Sequence, residues 1–285
     1  MVGKIVKQIS NDYTVKVDDQ LYICKPRGKF RNLNITPLVG DNVIIDEKNK
    51  YILEILKRKN ELDRPSVSNI DQVVIVTSVK IPDFSTNLLD KLLVIIEFNR
   101  IKPIICFTKL DLIDEIELKK IESVIGYYKK IGYEVYKNTD SDFKTIFKNK
   151  VTVFAGQSGA GKSSLLNRLD DKLNLKVGDV SVALGRGKHT TRHTELIEVL
   201  GGYIVDTPGF SSLNFDGMSV EDIRDNFIEF EFYKDNCEYR DCKHVNEIKC
   251  AIKENVKSKK ILNSRYENYL KFIGKGDLWK YQHLF

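Results

Sequence analysis

The sequence predicts a multidomain chain: an N-terminal OB-fold β-barrel, a central α/β domain of the P-loop class, and a C-terminal, mostly helical zinc-binding domain. Three observations predict it. The first 64 residues form a series of short alternating runs. The stretch "GQSGAGKS", Gly156–Ser163, lies between a continuous apolar run and a helical pattern. Cys237, Cys242, His244 and Cys250 cluster near the end. The corresponding boundaries are 1–64, 65–217 and 218–285.

Composition narrows the class. With 285 residues the chain can hold two or three domains with a real core. Its longest apolar runs, such as "VVIVTSV" and "PIICF", are strand length, well short of the roughly 20 residues that cross a bilayer. The first ten residues contain no secretory h-region. A cytoplasmic protein with no membrane partner is expected. The net charge of +6 is uneven, with 13 basic against 9 acidic residues in positions 1–64 and 10 against 4 from Lys243 onward. Basic flanks suit a polyanionic partner; a solvated, Lys-rich surface gives the same count.

In residues 1–64 the runs "KIVKQI", "YTVKV", "LYICK", "NVIID" and "YILEIL" are separated by polar turns. About five short strands in this span suggest a small closed barrel, for which the OB-fold is the natural candidate. The basic loop "KPRGKFR" beside it suits RNA, although a barrel serving only as a spacer has the same pattern. "RKNELDRPSVSN" is polar, carries a proline and reads as a linker. Beyond it, "DQVVIVTSV", "KPIICFTKLD", "YEVYKN" and "VTVFAG" read as buried strands. "NLLDKLLVIIEFNR" and "ELKKIESVIGYYKKIG" have helical spacing, and "ELIEVLGGYIVDT" reads as a glycine hairpin. This alternation predicts a doubly wound sheet. After Gly217 strand signals stop, and "SVEDIRDNFIEFEFY" opens with a Ser219–Asp222 cap pattern that predicts a helix over 219–232. Cys24 and Cys106 lie alone in strand-like runs and read as core residues.

The phosphate loop is the most specific motif. Gly156, Gln157, Ser158, Gly159, Ala160, Gly161, Lys162 and Ser163 fit G-x-x-x-x-G-K-[ST], with a strand before and a helix after. The glycines allow positive φ, which turns backbone N–H groups inward to form an anion nest at a helix N-terminus. Lys162 can reach the β and γ phosphates, the Ser163 hydroxyl can bind Mg²⁺, and Ser164 can donate to the α phosphate. "TKLD", Thr108, Lys109, Leu110 and Asp111, follows a buried strand, so it stands at the strand's carboxyl end, where doubly wound sheets bind ligands. A carboxylate at Asp111 accepts from guanine N1–H and its exocyclic amine, whereas adenine presents the wrong pattern. The stem of Lys109 can lie on the base. Common guanine readers have Asn-Lys-x-Asp; here Thr108 replaces the Asn, losing an amide contact and keeping a hydroxyl.

"YIVDTPGFSSL" supplies a third element. Asp206 ends a buried strand and can hold Mg²⁺ through water, and the Gly209 N–H can contact the γ phosphate, making this turn a switch. In "LGRGKHTTRHTE", Thr190 or Thr191 can complete the Mg²⁺ shell, with Thr191 the first choice. Ordinary GTPases run phosphate loop, threonine switch, Asp-x-x-Gly, then base reader. Here the base reader comes first and Asp-x-x-Gly last, so the order is that of a circularly permuted GTPase domain. The spacing Cys237-x₄-Cys242-x-His244-x₅-Cys250 gives three thiolates and one imidazole, a closed tetrahedral set suited to one structural Zn²⁺ per chain. In the basic tail, Tyr266, Tyr269, Phe272 and Trp279 are helix-spaced and read as core.

These residues resemble the RsgA (YjeQ) family of circularly permuted bacterial GTPases, which act on the small ribosomal subunit. "PLVGD", "RKNELDRP", "NIDQVVIV", "KLD", "GQSGAGKSSLLN", "GRGKHTTRH", "DTPGF" and "CEYRDCKHVNEIKC" carry the resemblance over nearly the whole chain. It implies GTP and GDP as ligands, and the 30S subunit with its 16S rRNA as partners. It also implies a late role in 30S maturation, with weak intrinsic hydrolysis stimulated by the subunit. A monomer is expected. Two places depart from the family pattern: Thr108 stands for Asn, and "VYKNTDSD" lacks a clear Ser-Ala base-contact motif, with Asn138 and Thr139 in its place.

Many GTPases orient the attacking water with a glutamine after Asp-x-x-Gly. Phe210 stands there, and an apolar ring cannot do so, so slow intrinsic turnover is expected. His189, in "GKHTT", is the local replacement and matches a histidine implicated in the family; packing or RNA binding are its other uses. Arg186, Lys188 and Arg192 can neutralise transition-state charge or grip RNA. Two rival readings exist. Asp111 and the lack of an acceptor-binding lid oppose an ATPase or nucleotide kinase. Intact Lys162, Ser163 and Asp206 oppose an RNA-binding protein with a vestigial nucleotide site.

Overall fold

A computed structural model of the protein describes residues 1–33, 35–63, 66–170, 173, 194–206 and 214–274. The N-terminal strands are β1 (Val2–Ile9), β2 (Asp12–Val17), β3 (Gln20–Pro26), β4 (Asn42–Asp46) and β5 (Tyr51–Ile55), with a short helix α1 (Lys29–Asn32) after β3. β1 pairs with both β2 and β4, and the order β1-β2-β3-β5-β4 closes the five strands into a barrel. The period-2 pattern sends Tyr13, Val15, Val17, Tyr22 and Cys24 inward.

The stretch read as a linker is instead built into the fold. β6 (Glu61–Asp63) and β7 (Ser66–Ser68) form an antiparallel pair, and Val67 is buried. The cause is the buried carboxylate of Asp41. It accepts from Arg58 Nε at 2.7 Å, Arg58 Nη2 at 2.8 Å, Ser68 Oγ at 2.6 Å and the Leu38 N–H at 2.8 Å. Polar residues that looked solvated are spent on this internal network. Gly40, at φ 96°, lies so close that an added Cβ would sit 2.1 Å from the Ser68 carbonyl oxygen.

The central sheet contains β8 (Gln72–Ser78), β9 (Lys102–Thr108), β10 (Glu134–Lys137), β11 (Val151–Ala155), β12 (Thr194–Val199) and β13 (Gly202–Asp206), ordered β10-β9-β8-β11-β13-β12. All neighbours are parallel except β12 and β13, which form the expected hairpin. Alternate residues face opposite layers. Val73, Ile75, Ile105 and Phe107 pack in the same core as α2 (Thr86–Phe98) and α3 (Glu115–Lys130), while Val74, Val76, Ile104 and Cys106 pack with α4 (Lys162–Leu169). This is a doubly wound arrangement. At its far edge β12 pairs with β1 through Lys7↔Glu195 and Gln8↔Thr194, so sheet and barrel are continuous.

Beyond Gly217 the described chain is helical or irregular. The Ser219–Asp222 capping box is formed: the Asp222 N–H donates to Ser219 Oγ at 3.0 Å, and the Ser219 N–H donates to Asp222 Oδ2 at 2.8 Å. The helix does not run to 232. α5 spans Val220–Asp225, Asn226 Nδ2 donates to the Asp222 carbonyl at 2.7 Å, and 3₁₀ turns take over at Ile228–Phe232. The break lets Phe227 and Phe230 both enter the core, stacked at 5.2 Å. α6 (Ala251–Lys257) and α7 (Asn263–Phe272) follow, and Tyr266 and Tyr269 are core residues as expected. Trp279 lies outside the described residues.

α2 is apolar nearly all round because it has two partners. Leu89, Leu92, Leu93 and Ile96 face the sheet, while Val94 joins the C-terminal core. On that second face Asp90 meets Arg265, which is 0% exposed. Arg265 donates to Asp90 Oδ1 at 2.8 Å and to Glu229 at 2.7 and 2.6 Å. Burial opposes its charge, but Asp90 and Glu229 outweigh that and hold its pKa well above the ordinary value. Phe227 lies beneath the guanidinium at 4.6 Å.

Candidate nucleotide site and metal cluster

Because β8, β9, β10, β11 and β13 run parallel, the loops after them emerge at one edge of the sheet. Gly156–Gly161 therefore sits beside Thr108–Asp111 although the two are far apart in sequence. Gly156, Gly159 and Gly161 have φ of 128°, 78° and 92°, the region the spacing requires of them. At Gly156 an added Cβ would lie 2.1 Å from the Val76 carbonyl oxygen. Gly156→Ala is thus expected to weaken GDP binding by tenfold or more, about 1.4 kcal/mol. Gly126→Ala, whose added methyl meets nothing within 4 Å, should bind as wild type. Equal affinities in a fluorescent-GDP titration would contradict the geometry.

Gln157, Ser158, Gly159 and Ser164 are exposed at the mouth of the loop, and Ala160 and Ser163 are buried in its floor. Lys162 folds back over the loop, its Nζ donating to the carbonyls of Gly156 at 2.8 Å and Gln157 at 2.7 Å. Burial lowers its pKa to about 8. An ammonium desolvated this way, with two carbonyls as its partners among the described residues, is poised for an anion.

The Thr108 Oγ1 donates to the Ala160 carbonyl at 2.6 Å, joining the end of β9 to the phosphate loop. Lys109 adopts φ 61°, and its Nζ donates to the Ile81 carbonyl. Leu110 and Asp111 lie on a short 3₁₀ turn, Leu110–Leu112, with Asp111 exposed. The Asn138 N–H donates to the Phe107 carbonyl at 2.8 Å, placing Asn138 and Thr139 at the same edge. Asp206 ends β13 at this edge too. His189, Thr191 and Gly209 lie outside the described residues, as do Arg186, Lys188, Thr190, Arg192 and Phe210.

The loop after β8 escaped the sequence reading. Ile81 supplies the Lys109 anchor, and Pro82 Cδ lies 3.6 Å from where a Gly159 side chain would begin. Its only sequence signal is a proline after a buried strand. That this strand lies between β9 and β11 is a tertiary fact.

The second constellation is the metal cluster. One donor atom from each of Cys237, Cys242, His244 and Cys250 lies within 4.8 Å of the others. His244 Nδ1 is 3.6 Å from Cys237 Sγ and 3.4 Å from Cys250 Sγ. The backbone at His244 is left-handed, φ 59°, and its carbonyl accepts from Tyr266 Oη at 2.6 Å, which fixes the ring's entry. Burial lowers the imidazole pKa to about 4 and raises those of Cys242 and Cys250. A neutral imidazole aimed at three thiols in a desolvated pocket is a donor set that fits a soft or borderline cation, and the cluster could hold a metal ion.

A G-x-x-x-x-G-K-[ST] loop after a buried strand, with the Thr108–Asp111 segment and the Asp206 end of β13 on the same parallel sheet edge, defines a P-loop nucleotide-binding α/β protein. The family model described as RsgA GTPase matches residues 55–216, and that of the RsgA N-terminal domain matches residues 2–52. A protein named small ribosomal subunit biogenesis GTPase RsgA 2, from Oceanobacillus iheyensis, is 49% identical over 95% of this chain and 96% of its own. The corresponding RsgA of Bacillus cereus is 47% identical over the same shares. Among solved structures, YloQ, described as a circularly permuted GTPase, superposes with a TM-score of 0.82 at 40% identity, covering 97% of this chain and 94% of that one. YjeQ from Thermotoga maritima gives 0.81 at 35% identity, covering 96% and 98%. The chain belongs to the RsgA family of circularly permuted GTPases and is a GTP-hydrolysing enzyme. Among the described residues no helix is long and apolar enough to cross a membrane.

Proposed function

We propose that this GTPase acts in late maturation of the small (30S) ribosomal subunit, in the cytoplasm and as a monomer, with turnover stimulated by the subunit. The observation that supports the nucleotide part of this reading is the contact between Thr108 and Ala160, which joins the Thr108–Asp111 segment to the phosphate loop. The names of its relatives point the nucleotide chemistry at the 30S particle. In this reading residues 1–64 and 218–285 grip 16S rRNA, and residues 65–217 bind GTP or GDP.

Lys109 and Asp111 select the base. The loop's N–H groups and Lys162 hold the phosphates, and Ser163, Thr191 and Asp206 hold Mg²⁺, which supplies charge neutralisation at the β and γ oxygens. Gly209 senses the γ phosphate. His189 orients the attacking water. The test is GTP turnover with and without purified 30S subunits. Stimulation of about tenfold or more is expected, reduced in His189→Ala with GTP affinity kept. Unchanged turnover on adding subunits would remove the 30S assignment, and normal stimulated turnover in His189→Ala would remove the histidine.

The cluster of Cys237, Cys242, His244 and Cys250 holds one structural Zn²⁺ and joins the turns after α5 to α6. Chelation should release one zinc per chain and lower the melting temperature by roughly 5 °C or more, the scale of about 2 kcal/mol in a protein this size. A protein that contains no zinc as purified would refute the assignment.

A further inference from the structure

Thr108 stands where common guanine readers carry asparagine, and the structure shows what its hydroxyl does. The side chain is buried at 3% exposure. Oγ1 lies 2.6 Å from the Ala160 carbonyl and 3.4 Å from the Thr77 carbonyl, two backbone acceptors. The site of a Gly161 Cβ is 3.7 Å from Oγ1, so the side chain is packed against the phosphate loop. A hydroxyl has one proton, and the nearer carbonyl takes it.

Guanine has two faces to be read. The Watson–Crick edge offers N1–H and the exocyclic amine, both donors, which a carboxylate accepts. The other edge offers N7 and O6, both acceptors, which only a donor can recognise. Asparagine has two amide protons, one for a loop carbonyl and one for N7. Threonine has a single proton, and here it is committed to the loop.

Resting on the reading of this site as a guanine-nucleotide site, we propose that Thr108 is a tether and not a base reader. It fixes the end of β9 to the phosphate loop, leaves N7 unread, and places base selection on Asp111 at the Watson–Crick edge. The protein should therefore accept purines altered at position 7 and reject those altered at position 2.

The test is calorimetric titration with GDP, 7-deaza-GDP, which has C–H in place of N7, and IDP, which lacks the exocyclic amine. For the wild-type chain, 7-deaza-GDP should bind within about twofold of GDP and IDP about tenfold more weakly, the scale of one lost hydrogen bond to a charged group. Thr108→Asn should acquire a preference for GDP over 7-deaza-GDP of about fivefold. Thr108→Val, which keeps the shape and removes the proton, should weaken GDP and 7-deaza-GDP equally. Wild-type discrimination of tenfold against 7-deaza-GDP would overturn the proposal. So would a Thr108→Asn chain indifferent to N7, or a Thr108→Val chain that binds GDP as tightly as wild type. Failure of the wild type to bind any of the three nucleotides would instead overturn the guanine-nucleotide reading itself. The wild-type comparison needs no variant to fold.

Discussion

Lys162→Ala is expected to lower GTP turnover by at least about a hundredfold, the usual cost of removing one preorganised charge or donor from developing negative charge. The basis is the position of Nζ, folded over the loop and bonded, among the described residues, to the Gly156 and Gln157 carbonyls. The same burial gives a pH signature. With no phosphate present the ammonium has a pKa of about 8. Below pH 8 it is charged and GTP affinity should be flat. Above pH 8 it loses its proton, phosphate binding must recover it, and the Kd should rise by up to tenfold per pH unit. Phosphate raises the pKa, so the sign is fixed: binding takes up protons on the alkaline side. Lys162→Ala should show weak affinity without this step. A wild-type affinity that stays level from pH 7 to 9.5 would show that Lys162 does not carry the interaction.

Arg265→Leu is expected to cost about 3–5 kcal/mol of stability, because it leaves two carboxylates buried without their cation. Asp90 and Glu229 come from different parts of the chain, one on α2 and one in the 3₁₀ turn before the metal cluster. The loss should show as a lower urea midpoint and faster proteolysis between α5 and α7. The triple replacement of Asp90, Glu229 and Arg265 by apolar residues of similar volume should recover much of it, since no charge is then left unpaired. An Arg265→Leu chain with wild-type stability would mean that the cluster is already solvated in solution.

Features of this chain differ in how they could be read from sequence. The phosphate loop is local: three glycines, a lysine and a serine at fixed spacing, set between a strand and a helix. Steric limits on φ tie that spacing to one backbone shape. The capping box at Ser219 and Asp222 and the group Cys237, Cys242, His244 and Cys250 were legible for the same reason, since one turn or one short loop brings the partners together. The end of the helix at Asp225 was not. Helical spacing continues through Phe227 and Phe230, and only their shared burial with Tyr269 makes the chain tighten there. The segment after Arg58 misled because polar residues look alike whether solvent or a buried Asp41 satisfies them.

From the sequence alone came most of the strands and helices, the spacing of the phosphate loop, the Cys/His group and the permuted order of the motifs. Those are consequences of short-range sterics and hydrogen bonding, which need only a few neighbours. Tertiary structure decided which of them meet. Thr108 reaches Ala160 across 52 positions of chain, Arg265 reaches Asp90 across 175, and β1 finds β12 at the other side of the sheet. Such contacts are set by strand order and by the need to cover both faces of α2, and no local pattern encodes either.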